Sequence, residues 1–122
     1  MGTSKSSEHA QAYVGSVSVF SGRPDPVWPL GEEQARRLLT LWESLDPWAG
    51  GAAPSAPPLG YRGSLLRGGG REWHAYGGAV TLREGPGVET RLDPGRRFEK
   101  LILSTAPDGS LPHPFLDQEL HA

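Results

Sequence analysis

Residues 21–28, a stretch stiffened by two prolines, gather the side chains best suited to binding chemistry. The guanidinium of Arg23 can hold a carboxylate or phosphate through two parallel hydrogen bonds. Asp25 adds a carboxylate, and Trp28 adds a large aromatic surface. Rigid loops on a scaffold often carry binding residues, so we predict a partner surface here. In the alternative interpretation, Arg23 pairs internally with Asp25 or another acidic residue while Trp28 packs at the start of the following helix.

Aromatic and basic residues in the predicted hairpins form a second candidate surface: Tyr61, Arg62, Trp73, His74 and Tyr76. Such a set is suited to capturing a peptide or stacking bases. Successive side chains of a strand point to opposite faces, so Trp73 and His74 are expected on different sides of the sheet. One of the two therefore faces the core.

His74 is the best single candidate for a general acid or base, because its ordinary pKa lies near neutrality. A competing hypothesis is therefore a small enzyme or small-ligand protein, with His74 and Tyr76 lining a pocket beside Arg62 or Arg97. The chain carries no Gly-rich phosphate loop between a strand and a helix, and no carboxylate pair with glycosidase spacing. We assign no catalytic residue and favour a non-enzymatic module that binds a protein or peptide.

The chain has no cysteine, which excludes disulfides, thiol nucleophiles, Cys-ligated zinc and iron–sulfur clusters. His113, Asp117 and His121 are spaced four apart and would share one face of a helix. Pro114 confines any such helix, so we predict no metal site and no cofactor.

The first six residues match the myristoylation pattern, in which Gly2 is acylated. One acyl chain without a second signal gives only marginal binding, so we expect at most weak membrane association. There is no signal-peptide core and no apolar run long enough to span a membrane, which predicts a cytoplasmic or nuclear protein that is not secreted.

Length and charge limit the remaining classes. A chain of 122 residues fits one domain, and 17 Gly and 12 Pro place much of its backbone in loops. Residues 60–100 hold eight Arg or Lys against five Asp or Glu, which is too small an excess to favour nucleic acid as the partner. Nothing in the pattern indicates an oligomeric state.

The periodicity predicts an α+β fold in the order β-α-β-β-β-α, an antiparallel sheet of about four strands with two helices on one face. Gly77 and Gly78 fall inside the longest predicted strand, where they suggest a bulge or a close approach of another backbone more than a break. Asp93 followed by Pro94 is typical of a helix start. The predicted strands are 13–20, 61–67, 72–82 and 88–92, and the predicted helices 31–45 and 93–106.

The predicted organisation is a disordered segment 1–11, one α+β domain 12–107 and an extended or mobile tail 108–122. Within the domain, residues 46–60 are predicted to form a flexible loop.

Overall fold

The computed structural model describes residues 12–19, 25–57 and 60–109. Residues 1–11 and 110–122 lie outside these ranges, so the predictions made for Gly2 and for the three residues considered for a metal fall there. Arg23 also lies outside the described ranges. In chain order the elements are β1 Val14–Val17, β2 Val27–Pro29, α1 Glu32–Ser44, β3 Ser64–Gly68, β4 Arg71–Tyr76, β5 Ala79–Glu84, β6 Gly87–Leu92, a 3-10 turn Pro94–Arg96 and α2 Arg97–Ser104.

Six antiparallel strands form one sheet in the order β2-β1-β3-β4-β5-β6, with both helices packed against it. The predicted α+β class, the antiparallel pairing and the two helices are confirmed. The predicted number of about four strands is wrong, because two strands were missed.

The first missed boundary lies at Gly77 and Gly78. These residues have φ of 62° and 94°, and Tyr76 pairs with Ala79 across them. Two successive positive φ angles are typical of the tight turn of a two-residue hairpin. The two glycines therefore form the turn between β4 and β5. The prediction of a bulge inside one long strand is wrong.

The second missed element is the edge strand β2. It has only three residues, ends in Pro29 and pairs with β1. Proline cannot donate to the hydrogen-bond ladder and is tolerated at sheet edges. A strand of three residues is also too short to show an alternating pattern in the sequence. Pro26, just before it, accepts a hydrogen bond from the Ser16 hydroxyl at 3.0 Å.

The core lies between the helices and one face of the sheet. Its sheet side includes Trp28, Leu66 and Trp73, and its helix side includes Trp42 and Phe98, all buried. Burying side chains of this size is the main favourable contribution to folding. The face of β1 predicted to point inward does so, with Val17 fully buried.

Gly15 is required by the packing of Trp28, its cross-strand partner. A methyl group at Gly15 would lie 2.6 Å from the Trp28 indole nitrogen, so the indole lies directly over the glycine. Trp28 Nε1 donates to Thr105 Oγ1 at 2.8 Å, which joins β2 to the end of α2.

The chain after α1 is attached to the outer edge of β6. Leu92 N donates to Asp46 O at 2.8 Å, and Trp48 N donates to Thr90 O at 3.0 Å. The Arg91 guanidinium stacks 4.1 Å from the Trp42 ring centre. The first residues of the segment predicted as a flexible loop thus cover part of a sheet edge that would otherwise expose unpaired backbone groups.

Asp93 caps α2 from across the intervening 3-10 turn. Its two carboxylate oxygens accept from Phe98 N at 2.8 Å and Glu99 N at 3.1 Å. Burial raises the pKa of the Asp93 carboxyl above its ordinary value, and the two backbone N–H groups oppose that rise. The helix start predicted at Asp93 and Pro94 is therefore present, with α2 itself beginning at Arg97.

Candidate functional site

The loop before β2 contributes little to a binding surface within the described residues. Trp28 is only 2% exposed and belongs to the core. Asp25 Oδ1 accepts from Val19 N at 3.1 Å, so this carboxylate holds the loop against the end of β1. Trp28 is therefore part of the core and Asp25 attaches the loop to β1, whereas the internal pairing of Arg23 lies outside the described residues.

Tyr61 belongs to a buried polar cluster. Its hydroxyl donates to a Glu99 carboxylate oxygen, and Glu99 is fully buried. The Arg96 guanidinium donates to both oxygens of the same carboxylate, at 3.2 and 2.8 Å. The Tyr61 hydroxyl and the Arg96 guanidinium satisfy the oxygens of this buried side chain, so the cluster fastens α2 to the segment before β3. Sequence reasoning gave Glu99 and Arg96 no role.

Trp73 points into the core and is 0% exposed. Its ring packs against Tyr13 and Trp42, with centres 6.3 and 6.5 Å away. The Arg71 guanidinium lies 4.7 Å from the Trp73 ring centre, at a distance typical of a cation–π contact. Of the two residues that were expected on opposite faces, Trp73 is therefore the buried one.

His74 lies on the other side of the sheet and is half-buried. Its Nε2 is 2.7 Å from the carbonyl oxygen of Arg62. A carbonyl only accepts, so Nε2 carries the proton and this contact fixes the tautomer. Arg62 Nε in turn donates to Ser18 Oγ at 3.0 Å, which fastens the segment before β3 to β1. Tyr76, at the end of β4, packs on Tyr61 with ring centres 6.2 Å apart.

The strand registers place two rows of side chains on the sheet face opposite the core. We call this the open face, because both helices pack against the other side. One row consists of Val14, Arg67, Glu72, Arg83 and Val88. The other consists of Val27, Ser16, Leu65, His74, Thr81 and Thr90, and Leu92 follows on the same side of β6.

Exposed apolar side chains concentrate on the open face. Among the described residues the large exposed hydrophobics are Val27 at 57%, Val88 at 60% and Leu92 at 42%, and all three belong to it. Val88 and Leu92 share β6, whereas Val27 lies at the opposite edge of the sheet. The middle of the face is polar, with the Thr81 and Thr90 hydroxyls 3.0 Å apart.

Where the β3–β4 and β5–β6 turns lie side by side, there is a hollow of about 340 Å³. We call it the arginine hollow. It is lined by Arg67, Arg71, Glu72, Arg83 and by glycines of the two turns. The side chains of Arg67, Glu72 and Arg83 belong to the open face, whereas Arg71 lies on the same side of β4 as Trp73. His74 and Tyr76 do not line it.

Each arginine of the hollow is held differently. Arg67 Nε lies 3.5 Å from a Glu72 carboxylate oxygen, in an exposed ion pair. Arg71 is fixed by its stacking on Trp73, and its Nη2 donates to the Tyr13 hydroxyl at 3.0 Å. Arg83 is exposed and makes no ion pair with any described residue, although it faces Glu72 across the strands.

The described ranges contain no group of three or more His, Asp or Glu side chains that could hold a metal ion. In the same ranges, no helix combines the length and the apolar character needed to cross a membrane.

Comparison with protein-family models, curated proteins and solved structures finds no match to this chain. The functional argument therefore depends on the geometry of the open face and the arginine hollow.

Proposed function

We propose that this protein is a non-enzymatic binding module that holds a protein partner on the open face of its sheet. The observation that carries the proposal is that the large exposed hydrophobics of the described residues all belong to this one face, Val88 and Leu92 on β6 and Val27 at the opposite edge of the sheet. Exposed apolar side chains that lie beside polar ones, as Val88 and Leu92 do on β6, are a feature of surfaces that bind other proteins.

The composition of the open face supports the proposal. Threonine, histidine and arginine side chains lie between the apolar margins, and such groups form hydrogen bonds at the rim and centre of non-obligate interfaces. Tight turns join β3 to β4, β4 to β5 and β5 to β6, so the backbone of this part of the face is held in a nearly fixed arrangement. A preordered surface loses little conformational entropy when it binds.

The partner's charge follows from the polar part of the same face. Arg67 and Arg83 outnumber Glu72 in the row that crosses the sheet near the β3–β4 and β5–β6 turns. An acidic segment of the partner would find complementary charge there, which favours correct orientation and fast association.

Affinity capture from an extract of the source cells tests the proposal. Three forms of the protein serve as bait: the unchanged chain, Val88→Ser with Leu92→Ser, and a control with Thr40→Ala and Glu43→Ala on the exposed side of α1. We expect the unchanged chain and the control to retain the same proteins, and the β6 variant to retain at least five-fold less of them. Equal recovery by the two variants, with circular dichroism showing both folded, would exclude the open face.

A further inference from the structure

The outer edge of β6 carries backbone groups that point away from the sheet. Leu92 N donates to Asp46 O at 2.8 Å and Thr90 O accepts from Trp48 N at 3.0 Å, so both residues direct these groups outward. Alternate residues of an antiparallel strand point their N–H and C=O groups to the same side. Val88, two residues before Thr90, therefore also directs its N–H and C=O outward.

Residues 46–48 cover only the second half of this edge. Within the described part of the chain, no backbone group bonds Val88 N, Val88 O or Thr90 N from the outer side. Residues 87–89 are all exposed. We call residues 87–90 the free β6 edge. An extended segment fits beside β6, since the chain itself places residues 46–48 there.

The opposite edge of the sheet, β2, is unsuited to accept a strand. Leu30 N donates to Tyr13 O at 2.9 Å, so Leu30 points its N–H toward β1 and Pro29 faces outward. Proline has no N–H to donate, and proline and short length are two ways in which sheet edges resist pairing. β2 has three residues and ends in proline, whereas β6 has six residues and no proline.

The free β6 edge adjoins the apolar side chains that carry the proposed function. Val88 is 60% exposed and its side chain lies on the open face. In a strand added to β6, the residue opposite Val88 points to the same face, with its Cβ atom about 5 Å from that of Val88. An apolar residue at that position would bury part of the Val88 side chain, which favours binding.

We infer that the free β6 edge pairs with an extended segment of the protein partner, through main-chain hydrogen bonds at Val88 and Thr90 and with an apolar residue of the segment beside Val88. N–H and C=O groups at strand spacing are matched by another extended polypeptide. A second copy of this chain fits less well, because its own residues 46–48 would occupy part of the shared edge. This inference rests on the proposed function, because it names how the partner of the open face is held.

A titration of the isotope-labelled protein with defined peptides tests the inference. The probe is a peptide of alternating valine and threonine with glutamate at both ends. Its control is the same peptide N-methylated at every valine and threonine, which removes the N–H donors of those residues. In NMR spectra we expect the probe to shift the Val88 and Thr90 amides and to bind at least five-fold more tightly than the control. Equal binding of the two peptides, or no shift at Val88 and Thr90, would overturn the inference.

Two variants of Val88 separate its backbone from its side chain. Val88→Pro keeps an apolar side chain but removes the outward N–H, a change that an edge strand tolerates. Val88→Ile, the matched control, keeps both the N–H and an apolar side chain. Val88→Pro should weaken binding of the probe peptide by about five-fold, the effect of one hydrogen bond, and Val88→Ile should leave it unchanged. Equal affinity of the two variants, with circular dichroism showing both folded, would contradict pairing at this edge.

Amide hydrogen exchange tests the same point without a substitution. In the protein alone, the Val88 and Thr90 amides should exchange faster than those of Glu89 and Arg91, which point toward β5. The probe peptide should slow exchange at Val88 and Thr90, and unchanged rates there would count against the inference. In size-exclusion chromatography we expect a monomer. A dimer that Val88→Pro abolishes would identify a second copy as the occupant and overturn the choice of a partner segment.

The two proposals can fail separately. If the variant with Val88→Ser and Leu92→Ser loses its cellular partners but Val88→Pro retains them, the open face binds without strand pairing, and only the inference about the edge is wrong. If Val88→Pro loses the probe peptide while the serine variant still captures the same proteins, the edge accepts a strand and the proposed function of the apolar face is wrong.

Discussion

Replacing Tyr61 by phenylalanine removes a single hydroxyl from the buried cluster around Glu99. That hydroxyl donates to a carboxylate that has no exposure to solvent. A hydrogen bond to a charged group contributes about 1.5–3 kcal/mol, and Glu99 keeps its two bonds from Arg96. We therefore expect Tyr61→Phe to lower the free energy of unfolding by about 2 kcal/mol, equivalent to a fall in Tm of about 8 °C.

Tyr76→Phe is the matched control for this prediction. The Tyr76 ring packs on Tyr61, and its hydroxyl has no hydrogen bond within the described part of the chain. We expect it to change Tm by less than about 2 °C, since surface changes of this kind are usually within about 0.5 kcal/mol. Thermal unfolding followed by circular dichroism measures both. Equal Tm values for the two variants would refute the reasoning that Tyr61 serves the fold through Glu99.

Two further predictions concern buried polar contacts. The Asp93 carboxyl has a folded-state pKa above its ordinary 3.8, so between these two pKa values the folded chain keeps a proton that the unfolded chain has lost. The contribution of this group to the free energy of unfolding is therefore fully present below pH 3.8 and is lost as pH rises through the folded-state pKa. Urea unfolding measures the free energy of unfolding of the unchanged chain minus that of Asp93→Asn. This difference should fall between pH 3.5 and pH 7, and a constant or rising difference would contradict a raised pKa of Asp93. Trp28→Phe removes the hydrogen bond to Thr105 and leaves part of the space of the indole ring empty. It should therefore lower the free energy of unfolding, measured in the same urea titration, by at least about 1 kcal/mol. An unchanged free energy of unfolding would show that the bond contributes nothing.

The predictable part of the fold is the part whose sequence periodicity reflects burial. The stripe of Ala35, Leu38 and Trp42 is buried along one side of α1, as a helical repeat of apolar residues requires. Val17 on β1 and Phe98 on α2 likewise point inward, as alternation and helical spacing predict. These residues are specified by local pattern alone.

The rest depended on backbone conformations that residue type leaves open. A Gly-Gly pair is compatible both with a bulge and with a hairpin turn, and only pairing across the turn selects between them. Because Gly77 and Gly78 were placed inside one strand, the sequence argument could not bring Arg83 opposite Glu72. The arginine hollow was missed for this reason.

Some of the candidate residues are buried in the core and others lie on the open face, and residue type and spacing alone could not distinguish the two groups. Trp28 and Trp73 were proposed as binding surface and belong to the core, because large aromatic side chains contribute most where they are fully packed. His74 lies on the open face, as one of the expected alternatives required. His74 does not line the arginine hollow, and the enzyme hypothesis built on His74 stays a prediction.

The most direct measurement of the central claim is an NMR titration of the isotope-labelled protein with its captured partner. The account predicts that shifted backbone amides cluster in β3 to β6, around Arg67, His74, Arg83 and Val88. Amides on the exposed side of α1 should keep their positions. Shifts concentrated on α1 and α2, with the amides of those strands unchanged, would contradict the claim that the open face holds the partner.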